Sequence, residues 1–294
     1  MKQLAIISGK GGTGKTSVTA AFASLTKGRA VYADCDVDAA DLYLILKPRV
    51  IKTMKFRGLK TAVIDEGKCI NCGRCYEYCR FGAIDSEINV IEERCEGCGV
   101  CMYVCPSDAI TLMERDSGLV YISDTRFGPM VHAKLNTAEE SSGKLVSMVR
   151  EEAKNLAEEK NKDLIIIDGP PGIGCPVIST ITGVDLVLVV VEPTVSAVHD
   201  MLRVIDVADH FNIPSIVCIN KYDLNESKTR EIIEYCRDND IDIVGMIPYD
   251  TMVVEAMVYE KTIIEYSDKD VSKKVKGLWR KIEEILLEGD GGES

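Results

Sequence analysis

A glycine-rich run near the start of the chain, Ser8-Gly9-Lys10-Gly11-Gly12-Thr13-Gly14-Lys15-Thr16, limits the fold more than any other stretch. The apolar residues Leu4 to Ile7 precede it and a small-residue helical pattern, Ser17 to Leu25, follows. This is the strand–loop–helix setting of a phosphate-binding loop, and Gly9, four residues, then Gly14-Lys15-Thr16 completes the Walker A spacing. Glycines let successive backbone N–H groups converge on phosphate oxygens, and the helix start adds partial positive charge. Gly9 through Ser17 therefore form the predicted cradle, with Lys15 on the terminal phosphates and the Thr16 hydroxyl on a magnesium ion.

A second feature sits downstream. Of twelve cysteines, eight fall in two runs, Cys69-x2-Cys72-x2-Cys75-x3-Cys79 and Cys95-x2-Cys98-x2-Cys101-x3-Cys105-Pro106, offset by 26 residues. Lys68 matches Arg94, and Ala83-Ile84 matches Ala109-Ile110, so each half reads as one hairpin-and-helix unit of a small pseudo-twofold domain. Disulfides are not expected, because no secretory leader is read at the amino terminus. Thiolates at these intervals can surround an iron–sulfur cubane, short loops bringing three sulfurs to one face and the helix supplying the fourth. Structural zinc, the competing occupant, uses Cys-x2-Cys pairs separated by a longer gap.

The spacing resembles that of bacterial dicluster ferredoxins, in which the fourth cysteine of each run ligates the other cluster. The resemblance implies one set of Cys69, Cys72, Cys75 and Cys105, and a second of Cys95, Cys98, Cys101 and Cys79. Arg80 follows Cys79 where Pro106 follows Cys105, a change at helix entry and not in ligation. So small a domain needs staples. Removing iron is expected to unfold it and leave the remainder intact.

Along the rest of the chain, Arg29 to Ala33 reads as a strand ending in Asp34-Cys35-Asp36-Val37-Asp38, an acidic cluster on the edge where parallel sheets bind ligands. Leu119–Ile122 and Met130–Ala133 read as short strands, and 138–160 as a polar helix containing Glu139 and Glu140. Leu164 to Ile167 is an apolar run ending in Asp168, as buried parallel strands read. This is the Walker B pattern, with Asp168 holding magnesium through a water. Two further apolar strands, Asp185–Glu192 and Ser215–Asn220, flank a helix over Ser196–His210. The helix Val271–Leu287 carries Val271, Val275, Leu278, Ile282, Ile285 and Leu286 on one face, which reads as core. Disorder is expected from Gly289 to Ser294. His132, His199 and His210 lack ligand spacing and read as structural or surface residues.

Gly-Lys-Gly-Gly-Thr-Gly-Lys-Thr, with its early lysine, resembles the deviant Walker A motif of the MinD/ParA/Mrp/nitrogenase-iron-protein ATPases. That resemblance spans the whole length and implies several roles. Lys10 reaches the nucleotide of a partner subunit, so a nucleotide-dependent homodimer is expected. Asp36 orients the attacking water, with Asp38 a magnesium neighbour, while Asp41 stands where the family often has asparagine. Gly169-Pro170-Pro171-Gly172-Ile173-Gly174 is similar to switch II, Gly172 contacting the γ-phosphate. Asn220 reads adenine, although Asn220-Lys221-Tyr222-Asp223 also resembles the guanine-reading motif of GTPases. Gly245 to Asp250 is similar to the base-contacting loop, with Pro248 and Asp250 beside the base. Cys175 falls where the nitrogenase iron protein places an intersubunit cluster ligand; packing as a small buried residue is the favoured reading.

The expected fold is α/β, a doubly wound, mainly parallel P-loop NTPase, with residues 1–58 and 115–294 forming the ATPase and residues 59–114 an inserted dicluster ferredoxin domain. At 294 residues, 46% hydrophobic and 28% charged, the chain has the makeup of an ordinary globular protein. A net charge of −12 argues against a nucleic-acid partner. With no apolar stretch near the ~20 residues of a membrane span, a cytoplasmic location without a membrane partner is expected. The expected cofactors are ATP, Mg2+ and two 4Fe-4S clusters. The leading function is ATP hydrolysis coupled to electron transfer towards a redox partner. The alternatives are iron–sulfur cluster delivery to an accepting protein or metallo-cofactor maturation, as in the Mrp branch, or a MinD-like positioning switch that senses redox state.

Overall fold

The computed structural model describes residues 1–58, 60–136 and 143–288. Strand β1 (Lys2–Ser8) runs into the glycine loop and helix α1 (Lys15–Leu25), followed by β2 (Ala30–Asp34), α2 (Leu42–Leu46) and β3 (Arg49–Phe56). The cysteine region contains β4 (Lys60–Ile64), α3 (Arg74–Tyr78), α4 (Val100–Val104) and β5 (Ile110–Glu114). Then come β6 (Gly118–Thr125), β7 (Gly128–Leu135), α5 (Gly143–Glu159), β8 (Leu164–Pro171), α6 (Cys175–Ile181), β9 (Leu186–Val191) and α7 (Ala197–His210). The chain continues with β10 (Ser215–Asn220), α8 (Glu226–Asp238), β11 (Ile243–Ile247), α9 (Thr251–Val258), α10 (Ile263–Tyr266) and α11 (Asp270–Glu288). The start of the expected polar helix, with Glu139 and Glu140, and the tail Gly289–Ser294 lie outside the described residues.

One sheet has the order β11-β10-β9-β1-β8-β2-β7-β6-β3. Every pairing from β11 to β7 is parallel. The central strands are apolar on both faces: Leu186 to Val191 are all buried, as are Leu164 to Ile167. That fits a parallel sheet covered on both sides. The chain leaves β1 for β2 across β8, so the loop after β1 sits at the switch point, where the carboxyl ends of such sheets bind ligands.

Contacts divide the chain into two compact units: Met1–Thr53, Val120–Ala133 and Ser141–Ser294 form one, Met54–Leu119 and Lys134–Glu140 the other. The second contains the 59–114 stretch. In the first, α1 buries Val18 and Ala20 to Ala23. Alanine favours the helix and lets it lie close to the sheet. Phe22 is wholly buried, its ring 4.9 Å from that of Trp279 on α11. On that helix Val271, Val275, Leu278, Ile282 and Leu286 are buried, so the apolar stripe is core. No helix among the described residues is long and apolar enough to cross a membrane.

In the second unit β4 and β5 pair antiparallel from Lys60–Glu114 to Ile64–Ile110, and a single bridge joins Ile84 to Val90. These are repeat mates, since adding 26 to 64 gives 90 and to 84 gives 110. Helices α3 and α4 are five residues each, entered from Gly73 and Gly99 at φ 73° and 79°. The core is small: Ala62, Ala83, Ile84 and Ile110, together with Cys75 and Cys95.

One expectation needs correction. Of the segment read as a base-contacting loop, Gly245 to Ile247 belong to strand β11, and only Pro248 to Asp250 form a loop. The glycine lies inside a strand because α11 packs against it; a Cβ there would come within 2.9 Å of Leu278 Cδ1.

Candidate functional site

Two sites emerge, one in each unit. In the first, β1 ends at Ser8, and the loop turns through Gly12 and Gly14 at φ +80° and +95° into α1. Gly14 is required twice over: its φ is left-handed, and a Cβ would lie 2.3 Å from Asn220 Nδ2. The loop borders a cleft of about 500 Å3, with Gly11, Gly12, Lys15, Thr16 and Ser17 on one wall and Asp36 and Asp38 on another. Gly174 and Met257 line it too.

Lys15 is buried, with Nζ 3.9 Å from Asp36 Oδ2. Asp168, 1% exposed, receives the Thr19 hydroxyl on Oδ1 at 2.9 Å, and its Oδ2 has no partner. Beside it in register lies Asp34, fully buried, whose Oδ2 is also unpartnered. Burial pushes the Asp168 carboxyl up to about 6, against the opposing pull of Lys15 and the Thr16 and Thr19 hydroxyls. Burial also raises Asp36, again opposed by Lys15, and burial with the charges of Asp168 and Asp36 holds Asp34 well above the usual carboxylate range. Asp36 and Asp168 share the Lys15 ammonium, and Asp34 beside them has none. Hard oxygen donors with an unspent lone pair beside the Thr16 hydroxyl fit a magnesium ion.

The remaining candidates are held around this cleft. Gly9, Lys10 and Thr13 line a small cavity with Val191 and Asp200, and Lys10 Nζ donates to Thr194 Oγ1 at 2.9 Å. Asn220 Nδ2 donates to the Thr13 carbonyl at 2.7 Å, and Lys221 Nζ to the Gly12 carbonyl at 3.0 Å. Asp223 Oδ1 accepts the Tyr249 N–H at 2.6 Å, bracing the loop that carries Pro248. Asp250 caps α9 through the Met252 N–H. Gly172, at φ +93°, donates its N–H to the Ser8 carbonyl at 2.9 Å, and so is tied to the end of β1.

Cys175 corrects the favoured reading. It is exposed, because the buried face of α6 runs through Val177, Thr180 and Ile181 and leaves the first helical residue outside. His132 is buried between the rings of Tyr43 and Tyr121, and burial lowers its imidazole to about 4; His199 and His210 are exposed. Thr19, Asp34 and Thr194 were not singled out in advance. Thr19 follows Lys15 by one helical turn, and Asp34 ends the apolar strand β2, so both carried a legible signal. Thr194 carried none.

In the second unit the cysteines sort into two cavities. Cys69, Cys72, Cys75 and Cys105 line one; Cys79, Cys95, Cys98 and Cys101 line the other. Each therefore takes three sulfurs from one run and the fourth from its repeat mate. The Ala83 N–H points at Cys79 Sγ and the Ala109 N–H at Cys105 Sγ, both at 3.4 Å, and the Ala62 N–H meets Cys95 Sγ at the same distance. Backbone donors aimed at sulfur suit thiolates carrying cluster charge. Among the described residues, no three His, Cys, Asp or Glu side chains group closely enough to hold a single metal ion. Four cysteines line each cavity, a donor set that fits a 4Fe-4S cluster.

Comparison with known proteins adds the family. The model of the CobQ/CobB/MinD/ParA nucleotide binding domain matches residues 4–263. The uncharacterised protein MJ0578 of Methanocaldococcus jannaschii is 38% identical over 97% of both chains. Over 65 residues, 22% of this chain, it is 42% identical to the pyruvate synthase subunit PorD of Methanothermobacter marburgensis, covering 78% of that protein. Among solved structures, the septum site-determining protein MinD of Pyrococcus horikoshii, complexed with Mg-ADP, superposes with a TM-score of 0.61 at 16% identity, covering 97% of this chain and 96% of that one. At that identity the likeness is one of fold.

Proposed function

The chain belongs to the CobQ/CobB/MinD/ParA nucleotide-binding family, and from that premise we propose that it is an iron–sulfur ATPase, in which ATP binding and hydrolysis govern electron transfer through two 4Fe-4S clusters. The observation that carries this reading is the sorting of eight cysteines into two crossed sets of four. Gly9 through Ser17 cradle the phosphates, Lys15 neutralises the terminal ones, and Thr16 with Asp168 holds magnesium. Asp36, 3.9 Å from Lys15, is placed to orient a water at the γ-phosphate. Lys10 serves a partner copy's nucleotide once it leaves Thr194, so the active form is a homodimer. Asn220, Pro248 and Asp250 border the base. Adenine is favoured over guanine because one oxygen of Asp223, the residue that would read guanine, is already engaged by the Tyr249 N–H.

When bound, the clusters supply one-electron storage and transfer. The cysteines of the second unit would hold them, with backbone N–H groups on the Sγ atoms of Cys79, Cys95 and Cys105 and with Ile64, Ile84 and Ile110 lining the cavities. The 65-residue match to the pyruvate synthase subunit PorD supports an iron–sulfur link for this chain. Coupling requires that dimer or acceptor bind the nucleotide states unequally.

The test is electron paramagnetic resonance potentiometry on anaerobically purified protein, with and without MgATP. The expected result is about eight irons per chain and a cluster potential or reoxidation rate that changes with nucleotide. Zinc in place of iron, or clusters indifferent to MgATP, would overturn the proposal.

A further inference from the structure

The internal repeat of the second unit acts as its own control. The Asp65 N–H donates to the Ala109 carbonyl at 2.8 Å, and its repeat mate, the Ile91 N–H, donates to the Ala83 carbonyl at 2.8 Å. The fourth cysteine of each run receives the same backbone donor at the same 3.4 Å. Against this agreement the differences stand out. Ser107 places Oγ 3.6 Å from Cys105 Sγ. Its mate 26 residues earlier is Phe81, half-exposed and without a polar atom to offer. The Cys69 thiol donates to Asn71 Oδ1 at 3.7 Å, an acceptor with no proton to give a thiolate, where the mate is Gly97, which has no side chain at all. One contact runs the other way, the Ala62 N–H to Cys95, and it is a backbone one. Both side-chain partners belong to the same site.

A hydroxyl that donates to a ligating sulfur stabilises the extra negative charge of a reduced cluster and so raises its reduction potential. Resting on the iron–sulfur reading above, we propose that the two sites hold clusters of unequal potential, with Ser107 raising that of the site completed by Cys105. A single electron from a one-electron reductant settles there first. Each step adds one electron to one cluster, taking it from the 2+ to the 1+ state, and makes or breaks no bond. Exposure also bears on potential, and the second cavity is the wider, so the decisive quantity is the shift produced by substitution at each site.

The experiment is a dithionite titration of the full chain, anaerobically reconstituted and followed by electron paramagnetic resonance, with iron counted for each variant. Two resolved one-electron steps are expected. Ser107→Ala moves the upper step to lower potential and leaves the other in place. Phe81→Ser moves the lower step upward and narrows the gap. Both variants retain wild-type iron, so neither result reflects a failure to fold. A single unresolved step in the wild type, or a Ser107→Ala shift that is absent or falls on the lower step, overturns the proposal. Failure of the iron–sulfur reading itself has a separate signature, a wild-type chain that takes up no iron and shows no reduced-cluster signal.

Discussion

The two units keep their shape by different means. The nucleotide unit buries whole strands and helix faces, with Phe22, Tyr32 and Ile165 to Ile167 shielded from water and Trp279 packed beside Phe22. Among the described residues, the core cluster of the cysteine unit has six buried members, two of them cysteines. Apolar burial at ~25 cal/mol per Å2 supports the first without help, whereas a core that small needs covalent or metal staples. One unit thus folds as a hydrophobic object, and on the iron–sulfur reading proposed above the other depends on what its thiolates hold.

Stripping iron with a chelator is the harshest way to break this contrast. Amide exchange in β4 and β5 should accelerate at least ~100-fold, while β8, β9 and β10 keep their protection; equal loss in both units would erase the distinction. Lys15→Ala comes next, lowering ATP affinity by ~100-fold or more through the lost phosphate contact, with the iron count unchanged. In calorimetry, Phe22→Ala should cost the nucleotide unit ~3–5 kcal/mol and leave the visible absorbance of the cysteine unit intact.

A subtler probe uses pH. The Asp168 carboxyl stands at about 6 against an ordinary 3.8, so between those values the folded chain holds a proton the unfolded chain lacks. Without magnesium or nucleotide, stability therefore falls as pH rises through that window. Asp168→Asn should flatten the slope and gain ~1–3 kcal/mol at neutral pH, read from melting curves at several pH values. The smallest effect is that of Asp250→Ala, which removes the α9 cap and should cost ~1 kcal/mol.

Much of this architecture is legible in the sequence because strong local signals agree with the fold. The glycine loop, the apolar strands ending in Asp34 and Asn220, and the stripe on α11 all lie where periodicity and spacing put them, whereas β8 runs past Asp168 to Pro171 into residues that read as the switch II loop. Strand β3 left no such mark: Arg49 to Lys55 are exposed or only part-buried, so no apolar alternation distinguishes them from a loop. Strand β11 was hidden by Gly245, whose reason lies in α11, more than 30 residues away. At the candidate site, the Lys10–Thr194 and Asp223–Tyr249 contacts join distant segments by single hydrogen bonds, which no spacing rule encodes. The two crossed cysteine sets came from the resemblance to dicluster ferredoxins, whereas the unequal surroundings of Cys79 and Cys105 became visible only when Ser107 and Phe81 could be compared in place.

Crossing the fourth cysteine between halves has a consequence for biosynthesis. A nascent chain that has emerged as far as Val90 carries four thiols of the first run and can finish neither pocket, since one lacks Cys105 and the other lacks three of its members. On the iron–sulfur reading proposed above, the second run must emerge before either pocket has its four cysteines, so a truncated or stalled product is expected to carry no cluster and to stay open to proteases.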